Sequence, residues 1–304
     1  MKSNRIILPL FLVALGMCSV SCSDDDKKDE PGAGSATELP IPSSIVDGVR
    51  ITEVPGVLDA EFNADGSIKA VNYDGEVYRF EYDGSRASST GRKLARIVMS
   101  DTDGDTSWEA YDFRFNNKGF VESYTEVSEE KGYDWWEKST LKINVSYNGQ
   151  GQVSSMNVNA RTEGYEDGDK YNESVKGKVN YSYSNGCLVK SEVKDREGTI
   201  SYSFDYTDAP RNKYNLVTPH LASAIGFFSP VASIFAMTGY LGNSSSNLPT
   251  TMTYLYQDDE DTEKDVIKMS YEFDDRDRVT TINNFPVFGD VVTGSVAIYI
   301  NYLD

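Results

Sequence analysis

Cysteine, histidine and basic charge are all scarce in this sequence. Three cysteines occur in 304 residues, and Cys18 and Cys22 fall in an N-terminal leader. Cys187 is left without a mate, which excludes an internal disulfide framework in the mature chain. It sits in the strand-like "GCLVKSEV" and reads as a buried side chain. A single histidine, His220, cannot supply a multi-histidine zinc centre. No nucleophile elbow accompanies it, and its place after Pro219 reads as a helix start or a core position. Against 29 lysines and arginines stand 48 acids, a formal charge of −19. A surface this acidic argues against nucleic acid as a partner and leaves neutral, cationic or metal-bridged ligands. Glycine-rich phosphate loops are missing too, because the glycines stand singly at hairpin positions. No cofactor is implied, with calcium as the one ion to consider.

The first residues form a targeting segment. Lys2 and Arg5 precede the apolar "IILPLFLVALG", which is too short for a spanning helix and fits a secretory signal. Small residues then lead to Cys22. This resembles a bacterial lipoprotein signal, with Ser19 where such motifs usually carry Leu. The resemblance implies cleavage after residue 21 and acylation of Cys22, a stable membrane anchor if several chains are attached. Residues 22–48 ("CSDDDKKDEPGAGSATELPIPSSIVDG") are charged, then rich in Pro, Gly and Ser, and read as a flexible acidic tether. Acid and lysine directly after the lipidated cysteine resemble the surface-export signal of Bacteroidales-type lipoproteins. That implies an outer-membrane, surface-exposed protein.

From residue 49 to 304 the chain reads as a single all-β domain. Tyr78, Phe80 and Tyr82 alternate with Arg79 and Glu81. Leu141, Ile143, Val145 and Tyr147 alternate with Lys142, Asn144 and Ser146. Period two with aromatic and β-branched residues on one face predicts half-buried antiparallel strands. The turns repeat: "FNADGSI", "FNNKGFV", "YNGQGQV", the shorter "YSNGCLV", and "FDDRDRV" with Asp277 in the glycine place. Gly66, Gly119, Gly151 and Gly186 are expected to supply positive φ there. Roughly a dozen or more strands are expected in one long antiparallel meander. A sheet of that size closes into a barrel or curls strongly. One segment breaks the pattern. Residues 219–241 are apolar and divided by Pro230, which predicts a helical insert packed on the sheet or plugging a barrel end.

The lipoprotein start, the aromatic–Asn/Asp–Gly hairpins, the apolar insert followed by "YLGNSSSNLP" and the final strand pair together resemble a Bacteroidales lipoprotein family with a porin-like β fold. That family carries no established activity and no catalytic residues to transfer. The resemblance implies topology alone, because a pore needs its apolar face outward in lipid and alternation does not say which face is outward.

Two stretches carry candidate site residues. In "SDTDGDTSWEAYD", Asp101, Asp103 and Asp105 alternate as hard oxygen ligands for calcium, or else form an acidic hairpin turn. In "EKGYDWWEKS", Tyr133, Trp135 and Trp136 lie near a hairpin tip. Adjacent tryptophans on a strand face opposite ways, so one is expected exposed, suited to stacking on a sugar or to covering an edge. The resulting expectation is a lipid-anchored, non-catalytic surface module that captures a glycan or protein ligand. A polysaccharide hydrolase using paired carboxylates and a small pore are the alternatives.

Overall fold

A computed structural model describes residues 50–303, apart from 65, 89–90, 101–105, 167–168, 195–197, 228, 259–261 and 290. The leader, the tether, Cys22 and the three candidate calcium ligands lie outside the described residues. The chain begins with β1 (Arg50–Val54), β2 (Leu58–Phe62), β3 (Ile68–Tyr73), β4 (Glu76–Ser88), β5 (Gly91–Ser100) and β6 (Thr106–Phe115). Longer strands follow: β7 (Val121–Lys131), β8 (Trp136–Tyr147), β9 (Val153–Glu166) and β10 (Asp169–Ser184). Then come β11 (Cys187–Lys194), β12 (Thr199–Asp205), helices α1 (Pro219–Gly226) and α2 (Pro230–Met237), and β13 (Thr251–Gln257). The chain ends with β14 (Thr262–Phe273), β15 (Val279–Phe288), β16 (Val291–Val292), β17 (Val296–Tyr299) and β18 (Asn301–Leu303).

Each strand from β1 to β15 pairs antiparallel with the next, and β15 pairs with both β16 and β17. The two ends of this meander meet at the last segment without one continuous ladder. There β17 pairs with β15, and across Ile300 β18 pairs with β1. The Ile300 N–H donates to the Thr280 carbonyl at 3.0 Å. The expected all-β meander with one helical insert is therefore what the chain forms, as a strongly curled sheet.

The repeated turns have a single construction. Gly66, Gly119, Gly151 and Asp277 each donate an N–H to the carbonyl three residues back, at 2.9–3.1 Å. Their φ values are +80°, +80°, +77° and +63°. The Asn or Asp that opens the turn fixes it further. The Asn116 Oδ1 accepts from Lys118 and Phe120 N–H, and the Asn148 Oδ1 accepts from Gln150 and Gln152 N–H. These are side-chain mimics of a backbone turn, which is why Asn and Asp recur at that place. Gly186 closes its shorter turn at +76°. Hairpins alternate between the two ends of a meander, and all these turns fall at the same end, here called the turn end.

The helical insert joins β12 to β13 at that end. Thr218 caps α1 by accepting from the Leu221 N–H, and Ser229 caps α2 by accepting from Ala232 at 2.9 Å. Each helix has proline in its first turn, where the missing N–H has no intrahelical partner to lose. Every residue of α2 from Val231 to Met237 is buried. Phe235 is enclosed by rings from several strands: Phe80 at 6.4 Å, Phe113 at 5.8 Å, Phe115 at 6.5 Å and Tyr124 at 6.2 Å. On other sides, the Tyr181 hydroxyl donates to the Ile225 carbonyl at 2.6 Å, and Tyr202 packs edge-on against Phe227 at 5.1 Å. Strands β4, β6, β7, β10 and β12 thus face one helix pair. The apolar face points inward, and the interior is filled with side chains.

The outward face carries the alternate residues, many of them charged. Arg79 and Glu81 flank buried Phe80, and Arg96 forms ion pairs with Glu81 at 2.7 Å and Glu109 at 3.8 Å. Such exposed pairs contribute little stability.

Candidate functional site

Glu126 is an ionisable group held under strong constraint in the interior. Alternation in β7 puts Glu126 on the same inward face as Tyr124, beneath the link between the helices. The Ser229 hydroxyl donates to the Glu126 carboxylate and lies 2.9 Å from the Tyr124 hydroxyl. Burial pushes the Glu126 carboxyl up to about 8, against the lowering effect of hydrogen bonds from Ser229, Trp108 and Tyr124. Perturbed carboxyls of this sort mark functional sites only when a ligand can reach them. Glu126 is 2% exposed and lines none of the grooves described below. Its role is structural: it receives a hydrogen bond from the same serine that caps α2. Sequence reasoning passed over it because "SYTEVSEEK" looks like a solvated acidic run.

His220 occupies the second position of α1, as its place after Pro219 suggested. Its Nδ1 is buried without a hydrogen-bond partner, and burial pulls the imidazole down to about 4. Cys187 is buried, with Sγ 3.8 Å from Asn247 Oδ1. Among the described residues no group of three or more His, Cys, Asp or Glu is placed to hold a metal.

Among the described residues, surface grooves include three of different size. One of about 40 Å³, between Ile51, Tyr214, Met237 and Tyr302, has room for little more than water. One of about 340 Å³ lies at the turn end among Gln152, Asn185, Asn212, Asn243 and Ser244. Most of its amides already stitch the loops together. The Gln152 Nε2 donates to Gly186 and Ser244 carbonyls at 2.8 and 3.0 Å, and Asn212 Nδ2 donates to Leu216 and Ser245 carbonyls at 2.8 and 2.9 Å. The "GNSSSN" stretch is thus a seam between the insert and the hairpin tips. The third groove, about 550 Å³, runs across the outward face of β8–β10, and its lining includes Lys142, Asn159, Arg161, Glu163, Ser174 and Lys176.

Of the aromatic residues singled out from sequence, Trp136 sits at one end of that same face, and Tyr133 and Trp135 lie in the adjoining turn. Tyr133 is fully exposed in the β7–β8 turn, and Trp135 and Trp136 are each more than a third exposed. The expectation that adjacent tryptophans occupy opposite faces of a strand does not hold, because β8 begins only at Trp136. Trp135 belongs to the turn, where its carbonyl accepts from the Gly132 N–H at 2.9 Å. Its indole lies against Gly132 so closely that a Cβ there would fall 2.0 Å from Nε1. Trp136 is directly opposite Tyr165 of β9 and shares the outward face with Lys138, Thr140 and Lys142.

No protein family and no curated protein matches this sequence. Solved structures do. A porin-like protein from Bacteroides vulgatus ATCC 8482 is 16% identical, with a TM-score of 0.53 over 84% of this chain and 99% of its own. The chain shares its fold. A porin-like protein from Bacteroides uniformis ATCC 8492 is 15% identical, with a TM-score of 0.48 over 88% of this chain and 99% of its own.

Proposed function

We propose that this chain is a lipid-anchored, surface-exposed binding module without catalysis of its own, and that it captures a glycan on the outward face of β8–β10. Cys22 would carry the anchor, and residues 22–48 the tether. One observation carries the reading: the outward face that holds the open groove, where Thr140, Asn159 and Ser174 lie among charged side chains, also carries the exposed Trp136 opposite Tyr165 at one end. Aromatic faces stack on the C–H faces of sugars, while Asn, Ser and Thr match their hydroxyls. The pore alternative has the wrong polarity in its support. Arginine and lysine on an outward face cost about 2–4 kcal/mol each at a bilayer midplane, and the interior contains a helix pair. The test is affinity electrophoresis of the full chain in gels containing soluble polysaccharides. Retardation that is lost in Trp136→Ala, with the melting temperature unchanged, supports the reading. Migration unaffected by every polysaccharide removes it.

One observation favours a second reading, hydrolysis by paired carboxylates. Glu130 and Glu137 are directly opposite on the inward face of β7 and β8, and the Tyr171 hydroxyl donates to Glu137 at 2.8 Å. Burial, and then the Glu137 charge, raise the Glu130 carboxyl. Reducing-sugar release that disappears in Glu130→Gln would replace the first reading with this one.

A further inference from the structure

On a chain with a formal charge of −19, the outward face of β8–β10 has the opposite sign. Its register can be read row by row across the three strands. Lys138 is beside Glu163 and then Asn172, and Thr140 is beside Arg161 and then Ser174. Lys142 is beside Asn159 and then Lys176, and Asn144 is beside Asn157 and then Lys178. Glu163 is the one acid in these four rows. Every other position is a cation or a neutral hydrogen-bonding side chain.

Part of the positive charge is compensated. Lys138 pairs with Glu129 at 2.6 Å, and the Arg161 guanidinium lies 3.6 Å from Glu163. Lys142, Lys176 and Lys178 have no ion pair among the described residues. A simpler explanation covers some of them. Strand β11 pairs with β10 only from Val179 onward, so Asp169–Lys178 is a sheet edge among the described residues. Lysines on an edge discourage pairing with another chain. That accounts for Lys176 and Lys178. It does not account for Arg161 one strand inward, or for Lys142 two strands inward, where no edge needs guarding.

We infer that the ligand of this face is an anionic glycan, a polysaccharide bearing uronic-acid carboxylates, held by Lys142, Arg161 and Lys176 and stacked at Trp136 and Tyr165. The inference rests on the glycan reading above and specifies its substrate class. The geometry suits a chain molecule. Lys142 and Lys176 share a row two strand spacings apart, about 10 Å, with the Asn159 amide between them. From the Trp136 row to the Lys178 row is eight residues along β8, about 27 Å, enough for several sugar units. Cations at successive rows meet carboxylates that recur along a polyuronate, and the intervening Asn, Ser and Thr side chains meet its hydroxyls. The charge is local, so the acidity of the rest of the chain repels the polymer elsewhere and confines it to this face.

The test uses the full chain and polymers that differ only in charge. Polygalacturonate, alginate and hyaluronate are each compared with the methyl-esterified form by affinity electrophoresis. The acid forms are expected to bind at least tenfold more tightly than their esters. Lys142→Glu combined with Lys176→Glu should abolish that preference, Lys142→Arg with Lys176→Arg should keep it, and Trp136→Ala should weaken acid and ester forms alike. Equal binding of acid and ester, or a preference untouched by the charge reversal, overturns the inference and leaves a neutral-glycan module. Failure of every polymer, charged or neutral, overturns the glycan reading itself. Polyphosphate binding as tightly as the acid polymers, with Trp136→Ala without effect, shows non-selective ion exchange and also overturns the inference.

Discussion

Replacing Glu126 with glutamine should make the protein more stable at neutral and alkaline pH while changing little in acid. The carboxyl titrates near 4.5 in an unfolded chain and near 8 in the native interior. Between those values the unfolded chain has released its proton and the native chain still holds it. The unfolded state then binds fewer protons, so stability falls as pH rises through this window. Below 4.5 both states are protonated, and the group contributes no slope. Each pH unit within the window costs about 1.4 kcal/mol. The loss by pH 7 is therefore about 3 kcal/mol, saturating near 5 above pH 8. Glutamine keeps the shape and one acceptor oxygen for Ser229, and it cannot ionise. Urea denaturation followed by circular dichroism, for both proteins from pH 4.5 to 8.5, gives the stability difference at each pH. Taking the difference cancels the other titrating groups. His220 is among them: burial lowers its pKa to about 4, so its contribution is present above about 6.5 and lost as pH falls. The variant should gain about 3 kcal/mol on the wild type between pH 4.5 and pH 7. A difference that stays constant across the range would refute the reasoning and mean that Glu126 ionises freely in the folded protein.

Phe235→Ala removes the ring at the centre of the inward aromatic cluster and should cost about 3–5 kcal/mol in urea denaturation; a loss under about 1 kcal/mol would mean the helix pair is not packed as described. Gly151→Ala forces a side chain into φ +77° with its Cβ 3.0 Å from Asn243 Nδ2, a cost of about 1–3 kcal/mol. Gly75→Ala has φ +88° and open space around it, so it should cost only the backbone strain and melt at the higher temperature of the two.

The turn chemistry was legible to the residue. Asn63, Asn116, Asn148 and Asp274 open turns that Gly66, Gly119, Gly151 and Asp277 close with positive φ, because few residues satisfy that backbone. The strand alternation and the helix break at Pro230 were legible for the same local reasons. Which face turns inward was not. An alternating strand reads the same inside out, and only the packing of Phe80, Phe113 and Tyr124 against the helix pair decides it. Glu126 was hidden because burial depends on what lies across the interior. Trp135 was misplaced by a strand boundary a single residue away. The cationic rows needed the register of two successive hairpins, which no single strand contains.

The position of the helix pair in the chain has a consequence for how the protein is made. The insert lies between β12 and β13, so twelve strands precede it during synthesis. A chain cut short before Pro219 would lack Phe235 and leave Phe80, Phe113, Phe115 and Tyr124 with nothing to pack around, a long apolar surface open to any neighbour.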